Sequence, residues 1–298
     1  MRRFRTSPHP DWQDYRPPWE DVRDYHPGHP ALAPMLGQAA IPAAEDVPPA
    51  ADMGQWLTYL NDQGMIGSCT GQAGAYAVST IIKRIYGKEF RPSPLFLYKM
   101  ARFRCGYEGD TGLELRNMLG ALATYGICPE VSWPYSEDPK GFDLMPPWPV
   151  GQEASNYQAL TYLRLDTPGQ TPAQVLARIK RWVAAKFPVF LGFTCYSSID
   201  GDLVAATGAI PFPQSGEKVV GGHGICILQY DSRKTVFAEK SPLVGALGFP
   251  NSWGTAWGRK DRPGWGWLPE EYVLRGLASD AWTIVKQEWL DQGDFGFS

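Results

Sequence analysis

The spacing of apolar residues changes along this chain, and that change restricts the folds it can adopt. In several stretches between Cys69 and residue 187, apolar side chains recur every three or four positions, which is the period of an amphipathic helix. Three such stretches are bounded by capping, glycine or proline residues. They predict helices that begin at Cys69, Leu115 and Pro172 and end near Gly87, Gly126 and Pro188.

After residue 187 the pattern becomes that of strands. Short apolar runs bounded by glycine, proline or aspartate occupy residues 188–194, 223–230 and 264–268. Helical segments that precede the strands, instead of alternating with them, indicate an α+β chain. We therefore expect a helical half and a sheet half that face each other across a cleft.

Residues 1 to about 50 differ in composition from the rest of the chain. They hold ten of the 27 prolines and three of the four histidines, which indicates an extended arm before a globular body at 51–298. The arm has too many aromatic residues for a solvated tail, so we expect it to pack on the body. These aromatic residues are Trp12, Tyr15, Trp19 and Tyr25. Such an arm either straps the two halves together or regulates access to the cleft.

Charge and cysteine content exclude several classes of function. The 298 residues carry 28 Lys and Arg against 31 Asp and Glu, so no basic surface for nucleic acid is indicated. The five cysteines are odd in number and widely spaced without a CxxC pair. This pattern argues against a disulfide framework or a zinc site and indicates a reducing compartment. We expect no cofactor and no metal.

No segment of the sequence is typical of membrane insertion or Sec export. The longest apolar run, 187–193, has seven residues. A bilayer span needs roughly 20. No apolar stretch follows the basic start of the chain, so no Sec signal peptide is seen. We expect a soluble, cytoplasmic protein without a membrane partner, and export by a route other than Sec stays open.

A thiol at the start of a helix is the first chemical feature of the sequence. Cys69 opens the first predicted helix after the glycine-containing turn QGMIGSC. The unpaired amides and the dipole of a helix N terminus favour a thiolate, and the Cys69 amide is suited to hold an oxyanion. A single cysteine is more often a small buried apolar residue, so other groups must support a catalytic role.

Four further residues fit around such a thiol. His223 is the only histidine outside the arm, so it is the only imidazole base for Cys69, and we expect it to open its strand. Asn251, in the tract NSWG, would orient that imidazole, and the indole of Trp253 would exclude water. Gln63, six positions before Cys69, would supply a second oxyanion donor.

Three sequence motifs occur in the same order as in the papain-like cysteine peptidases (family C1). QGMIGSC resembles the family's QGxxGSC box, GGHGICILQYD its glycine–histidine strand, and NSWGTAWG its NSWGxxWG tract. Further segments, among them GSCTGQA, LFLYKMAR and GWGWLPEEY, resemble those of the bacterial branch of this family. The resemblance extends from about residue 21 to about residue 284.

The resemblance implies a role for each residue of the site. Cys69 would attack the substrate, His223 would carry the proton, and Asn251 would hold the imidazole beneath Trp253. Gln63 and the amide of Cys69 would form the oxyanion hole. The substrate would be a peptide or protein.

The same resemblance implies a two-lobed fold with a substrate cleft. The helical lobe would span about 60–165, and a lobe with an antiparallel sheet or barrel would span about 166–290. Gly112, in the loop EGDTG, would pair with the backbone of a bound peptide, and Gly222 would also contact the substrate.

Three departures from the family pattern are visible. Thr70 follows the nucleophile where eukaryotic members have tryptophan, a change shared with the bacterial branch. Ile66 replaces the cysteine usually found three residues before the nucleophile, so a disulfide common in extracellular members cannot form. Asn251 follows His223 by 28 positions, which we interpret as an insertion at 232–250.

Three functions are compatible with these residues. The first is hydrolysis of peptide bonds through a thioester acyl-enzyme. The second uses the same groups as an acyl transferase or an amidase. The third is a catalytically silent module that binds peptides in the cleft. Oligomeric state and substrate preference are not indicated by the sequence.

Overall fold

The computed structural model describes residues 24–32, 41–138, 140–159, 161–236 and 242–286. Three of the four arm aromatics, Trp12, Tyr15 and Trp19, therefore lie outside the described residues, as does the start of the region of resemblance at residue 21. Within the described residues most helices precede the main strands, which pair in two antiparallel sheets. The α+β class predicted from the change of period is confirmed.

Seven α-helices are found among the described residues. They are Cys69–Tyr86 (α1), Pro94–Cys105 (α2), Leu115–Tyr125 (α3), Trp148–Ala154 (α4), Pro172–Ala184 (α5), Asp202–Thr207 (α6) and Glu271–Leu274 (α7). The helices predicted from periodicity are confirmed as α1, α3 and α5. Gly87 ends α1 with a φ of 70°, and Thr171 begins α5 in a capping box with Gln174. None of the helices in these ranges has the length and apolar character needed to cross a membrane.

Helix α2 is not among the predicted helices, because its bulky apolar residues follow one another and show no helical spacing. Leu95, Phe96, Leu97 and Tyr98 are buried in succession. Four consecutive buried residues go once around the helix, so this part of it has no polar face. Its start depends on Ser93, whose hydroxyl accepts a hydrogen bond from the amide of Phe96 at 3.1 Å.

Eight strands form two four-stranded sheets in the described part of the chain. They are Ala50–Asp52 (β1), Thr161–Arg164 (β2), Val189–Tyr196 (β3), Val219–Ile227 (β4), Gln229–Val236 (β5), Leu243–Pro250 (β6), Trp265–Pro269 (β7) and Ala278–Lys286 (β8). The strand order is β1-β5-β6-β7 in one sheet and β2-β8-β3-β4 in the other. The predicted strands 188–194 and 264–268 are confirmed as β3 and β7, with ends that shift by one or two residues.

The predicted strand 223–230 is wrong in its extent. It comprises the end of β4 and the start of β5, and Leu228 separates the two. The chain passes from one sheet to the other at this residue, because β4 and β5 belong to different sheets. His223 therefore lies in the middle of β4, opposite Phe193 of β3, and does not open a strand.

Residues 232–250, interpreted above as an insertion, contribute to the second sheet. Strands β5 and β6 pair antiparallel, with Gln229 opposite Gly248. Asn251 comes directly after β6. The 28 positions between His223 and Asn251 thus contain a hairpin of the sheet that returns the chain toward β4.

The helical half and the sheet half meet at Gly224 of β4. A Cβ atom on this residue would lie 2.8 Å from Cγ2 of Thr70 in α1 and 3.4 Å from Cδ2 of Leu115 in α3. Any side chain here would push these helices away from β4, so the packing requires glycine. This contact determines where the first residue of α1, Cys69, lies relative to β4.

The described parts of the N-terminal arm contact both halves of the body. Asp24 forms a salt bridge of 2.6 Å with Arg116 of α3, and the carbonyl of Tyr25 accepts from the amide of Arg164 in β2 at 2.8 Å. Farther along, β1 pairs with β5. The division of the chain into an arm at 1–50 and a body at 51–298 with two lobes stays a prediction.

Candidate active site

Cys69 lies at the N terminus of α1, where the two halves meet. The residue is 7% exposed. The amide of Gly224 donates to its Sγ atom at 3.5 Å. The sulfur therefore faces the backbone of Gly224, the residue after His223. The packing of α1 on β4 thus places the thiol and the histidine in the same region of the structure.

The environment of the Cys69 thiol raises its pKa. Burial is the largest cause, and the charge of Asp110 acts in the same direction. Hydrogen bonds from the amides of Gly224, Thr70 and Cys69 itself lower the pKa but do not offset burial. The expectation of a thiol made acidic by the helix N terminus is therefore wrong, because desolvation outweighs the amides.

The imidazole of His223 is buried between two aromatic rings. The ring of Trp253 stacks on it with centroids 4.9 Å apart and an interplanar angle of 29°. Phe193 meets it edge to face at 5.6 Å. Burial lowers the pKa of His223 to about 4, and the hydrogen bond with Asn251 acts in the opposite direction.

Asn251 lies beside His223 and is almost fully buried. Its Oδ1 atom is 3.0 Å from Nε2 of His223 and accepts from the amide of Ser252 at 2.9 Å. The Ser252 amide can only donate, which fixes Oδ1 on this side of the Asn251 side chain. The backbone carbonyl of Asn251 also accepts from the hydroxyl of Tyr76 in α1 at 3.1 Å, so both halves hold this residue.

Gln63 is connected to the same segment through Ser252. The Gln63 amide donates to the carbonyl of Ser252 at 2.7 Å, and the Ser252 hydroxyl donates to Oε1 of Gln63. Its Nε2 atom donates to the carbonyl of Ile66 at 2.8 Å. The bonds at Oε1 and Nε2 determine the direction of this buried side-chain amide in the turn before Cys69, and the backbone bond holds the residue itself.

The two glycines expected to contact substrate lie in different settings. Gly112 has a φ of 69°, and its amide donates to the hydroxyl of Tyr98 at 2.9 Å. That amide is therefore already engaged and is not free to pair with a peptide in this arrangement. Gly222 is buried within β4 opposite Thr194, one residue before His223.

The structure also shows that Ser252 and Gly224 contact the residues of the site, although the sequence indicated no role for either. Ser252 holds both Gln63 and Asn251, and Gly224 donates to the sulfur. Both residues lie inside the motifs NSWG and GGHG, so the motifs located them without indicating what they do. The edge contact of Phe193 had no signal beyond its place in an apolar strand.

Comparisons with known proteins identify the family. A family model described as papain family cysteine protease matches residues 46–268. An uncharacterised peptidase C1-like protein of Acanthamoeba polyphaga mimivirus is 34% identical over 227 residues, which cover 75% of this chain and 68% of the viral protein.

Solved structures agree with this result. Xylellain, a cysteine protease from Xylella fastidiosa, is 28% identical with a TM-score of 0.70, over 95% of this chain and 98% of its own. Digestive procathepsin L 3 of the Tenebrio molitor larval midgut is 17% identical with a TM-score of 0.60, over 83% of this chain and 72% of its own, and shows the fold alone. The fold is papain-like, and the chain belongs to the papain family of cysteine proteases.

Proposed function

We propose that this protease cleaves peptide bonds with Cys69 as the nucleophile and His223 as general base and acid. The observation that carries the proposal is the bond of 3.0 Å between Nε2 of His223 and Oδ1 of Asn251. Because an amide oxygen can only accept, Nε2 holds the proton and Nδ1 keeps a lone pair. Nδ1 is therefore the atom that can take the thiol proton.

The first step moves the proton from Sγ of Cys69 to Nδ1 of His223. Burial disfavours each charge taken singly, but the thiolate and the imidazolium form together and attract each other. The amide of Gly224 donates to the sulfur and also favours its charge. The thiolate then forms a bond with the carbonyl carbon of the peptide, and an electron pair moves to the carbonyl oxygen.

Two N–H groups would stabilise that oxyanion. One is the backbone amide of Cys69 at the N terminus of α1. The other is Nε2 of Gln63, which carries two hydrogens and uses one for the carbonyl of Ile66. The second hydrogen is available to the substrate, and the bond from Ser252 to Oε1 stops the side-chain amide from rotating.

The remaining steps return the enzyme to its starting state. The imidazolium of His223 gives its proton to the leaving amine as the C–N bond breaks, which leaves a thioester on Cys69. The imidazole then takes a proton from water as the oxygen of that water attacks the thioester carbon, and when the C–S bond breaks the imidazolium returns the proton to the sulfur of Cys69. Trp253 covers one face of the ring and keeps bulk water from it.

Replacing Gln63 with alanine is expected to lower kcat about 10²- to 10³-fold, which is the typical effect of removing one oxyanion donor. KM should change little, because the donor acts on charge that develops only in the transition state. Steady-state kinetics on a short peptide amide would measure both constants.

The matched variant for this experiment is Gln63→Glu. It keeps the shape of the side chain and an acceptor for the hydroxyl of Ser252, but it places a negative charge beside the developing oxyanion. Its kcat should fall at least as far as that of Gln63→Ala. A Gln63→Glu enzyme with the wild-type kcat would contradict the role of Gln63.

Product analysis separates hydrolysis from the other two functions. A peptide substrate is incubated with the protein alone and with an added amine, and the products are identified by mass spectrometry. We expect free acid product in both mixtures. Ligated product without acid would indicate acyl transfer, and equal peptide binding by wild type and Cys69→Ala without turnover of any peptide would indicate a silent module.

A further inference from the structure

The peptide group that joins Ile66 to Gly67 is held from both sides by side chains. Its carbonyl accepts from Nε2 of Gln63 at 2.8 Å and from the amide of Ser68 at 2.8 Å. Its N–H donates to both carboxylate oxygens of Asp110, at 2.9 and 3.0 Å. One peptide plane therefore connects the proposed oxyanion donor to a carboxylate 43 positions farther along the chain.

Asp110 is itself fixed by the helical half. Its Oδ1 atom accepts from the hydroxyl of Tyr98 at 2.7 Å, and that hydroxyl accepts from the amide of Gly112 at 2.9 Å. Tyr98 is fully buried in α2, and the guanidinium of Arg102 lies 4.2 Å from the centre of its ring. The hydrogen bond from this buried tyrosine restrains the carboxylate of Asp110 and keeps it beside the amide of Gly67.

A charged acceptor has two effects on the peptide that it binds. The carboxylate restrains the rotation of the peptide plane, because a single N–H group, that of Gly67, points between its two oxygens and contacts both. It also polarises the peptide, which makes the carbonyl at the other end a stronger acceptor for Gln63. Both effects hold the first hydrogen of Nε2 and so direct the second toward the position of the oxyanion.

We propose that Asp110 is a positioning residue for the oxyanion hole, acting on Gln63 through the peptide between Ile66 and Gly67. This inference rests on the proposed function of Gln63 and Cys69. It assigns to the loop 108–112 a task in catalysis that is separate from contact with the substrate. Asp110 touches no reacting atom in this scheme.

The negative charge of Asp110 has a second consequence that an experiment can read. Burial raises the pKa of Cys69 most, and Asp110 adds to the rise. Among the described residues, the titratable groups that interact with Asp110 are Cys69 of α1, Tyr98 of α2 and Tyr135 of the loop after α3. Burial raises the pKa of both tyrosines as it does that of the thiol, but only the thiol takes part in the proposed reaction, so a change in the charge of Asp110 is read through Cys69.

The experiment compares Asp110→Ala and Asp110→Asn with wild type. Asp110→Ala removes the acceptor, and kcat should fall about tenfold to hundredfold, the range expected when a reacting group is misplaced. Asp110→Asn keeps a neutral acceptor, so its loss should be smaller. The alkaline limb of its pH profile of kcat/KM, which reports the thiol, should move to lower pH, because a charge that raised the thiol pKa is gone. Thermal unfolding checks that both variants fold.

The same turn offers a matched control. Glu137 is exposed, and its carboxylate accepts from the amide of Met65 at 2.9 Å, two peptides before the one that holds the side chain of Gln63. Glu137→Gln should keep the wild-type kcat and pH profile. A substrate-like peptide aldehyde gives a second readout, since its adduct with Cys69 needs the oxyanion donors. Asp110→Ala should weaken aldehyde binding far more than binding of the corresponding peptide alcohol.

The possible results separate the inference from the function on which it rests. An active wild type with an unchanged kcat in Asp110→Ala overturns the inference alone. An equal loss in Glu137→Gln also overturns it, because the effect would then be a general loosening of the turn. A wild type that neither hydrolyses peptides nor binds the aldehyde overturns the proposed function and the inference with it.

Discussion

Replacing Cys69 with alanine is expected to reduce peptide hydrolysis to background, a loss in kcat of at least about 10⁴-fold, as for other enzymes that lose their nucleophile. The sulfur is the only atom of the scheme that bonds to the substrate, so no neighbouring group can replace it. Alanine is the best helix former and fits the first position of α1, so the variant should keep its fold. Steady-state assays and circular dichroism would measure the two effects.

The control for this prediction is Cys105→Ala. Cys105 is the last residue of α2, is half-buried, and is not among the residues proposed to take part in the reaction. Its replacement should leave kcat unchanged. A thiol-directed epoxide should likewise modify Cys69 of the wild type far faster than Cys105. Equal rates of modification at the two cysteines would contradict a nucleophilic role for Cys69.

Replacing His223 with alanine is expected to lower kcat about 10²- to 10⁴-fold, the range that general acid–base catalysis contributes. The variant loses the atom that takes the thiol proton and the group that protonates the leaving amine. It also leaves a space between Trp253 and Phe193 of the size of an imidazole ring. Imidazole added to the buffer should therefore restore part of the lost rate.

A histidine of the arm provides the comparison. His29 is a half-buried residue of the arm, and its ring centroid lies 5.7 Å from that of His26 and 4.8 Å from that of Tyr25. His29→Ala should keep the wild-type rate and should not respond to added imidazole. The assignment of His223 would be contradicted if His223→Ala kept most of its activity while remaining folded.

The helices of this fold could be predicted from sequence where large apolar side chains recur at a helical spacing. They do so in α1, α3 and α5, and glycine, proline or capping residues mark the ends of these helices. In α2 four bulky apolar residues follow one another at 95–98, so no helical spacing is visible. The break at Leu228 was missed for a similar reason, since a continuous apolar run does not show where the chain changes sheet.

The chemistry of the site could be predicted only in part. Motif order indicated which residues belong together, and the bond between His223 and Asn251 agrees with that grouping. The direction in which the pKa of Cys69 is shifted could not be obtained from the sequence, because the shift depends on burial by residues distant in the chain. The engagement of the Gly112 amide by Tyr98 is likewise a product of tertiary packing.

The contact at Gly224 has a consequence for how the enzyme meets its substrate. The main chain of Gly224 packs directly against the methyl group of Thr70, with no side chain between them. The amide of the same glycine donates to Sγ of Cys69. Such close packing resists relative motion of α1 and β4, so we expect the sulfur to keep its position beside Gly224 when a substrate binds. Because backbone atoms form this contact, we expect discrimination among substrates to come from side chains outside it.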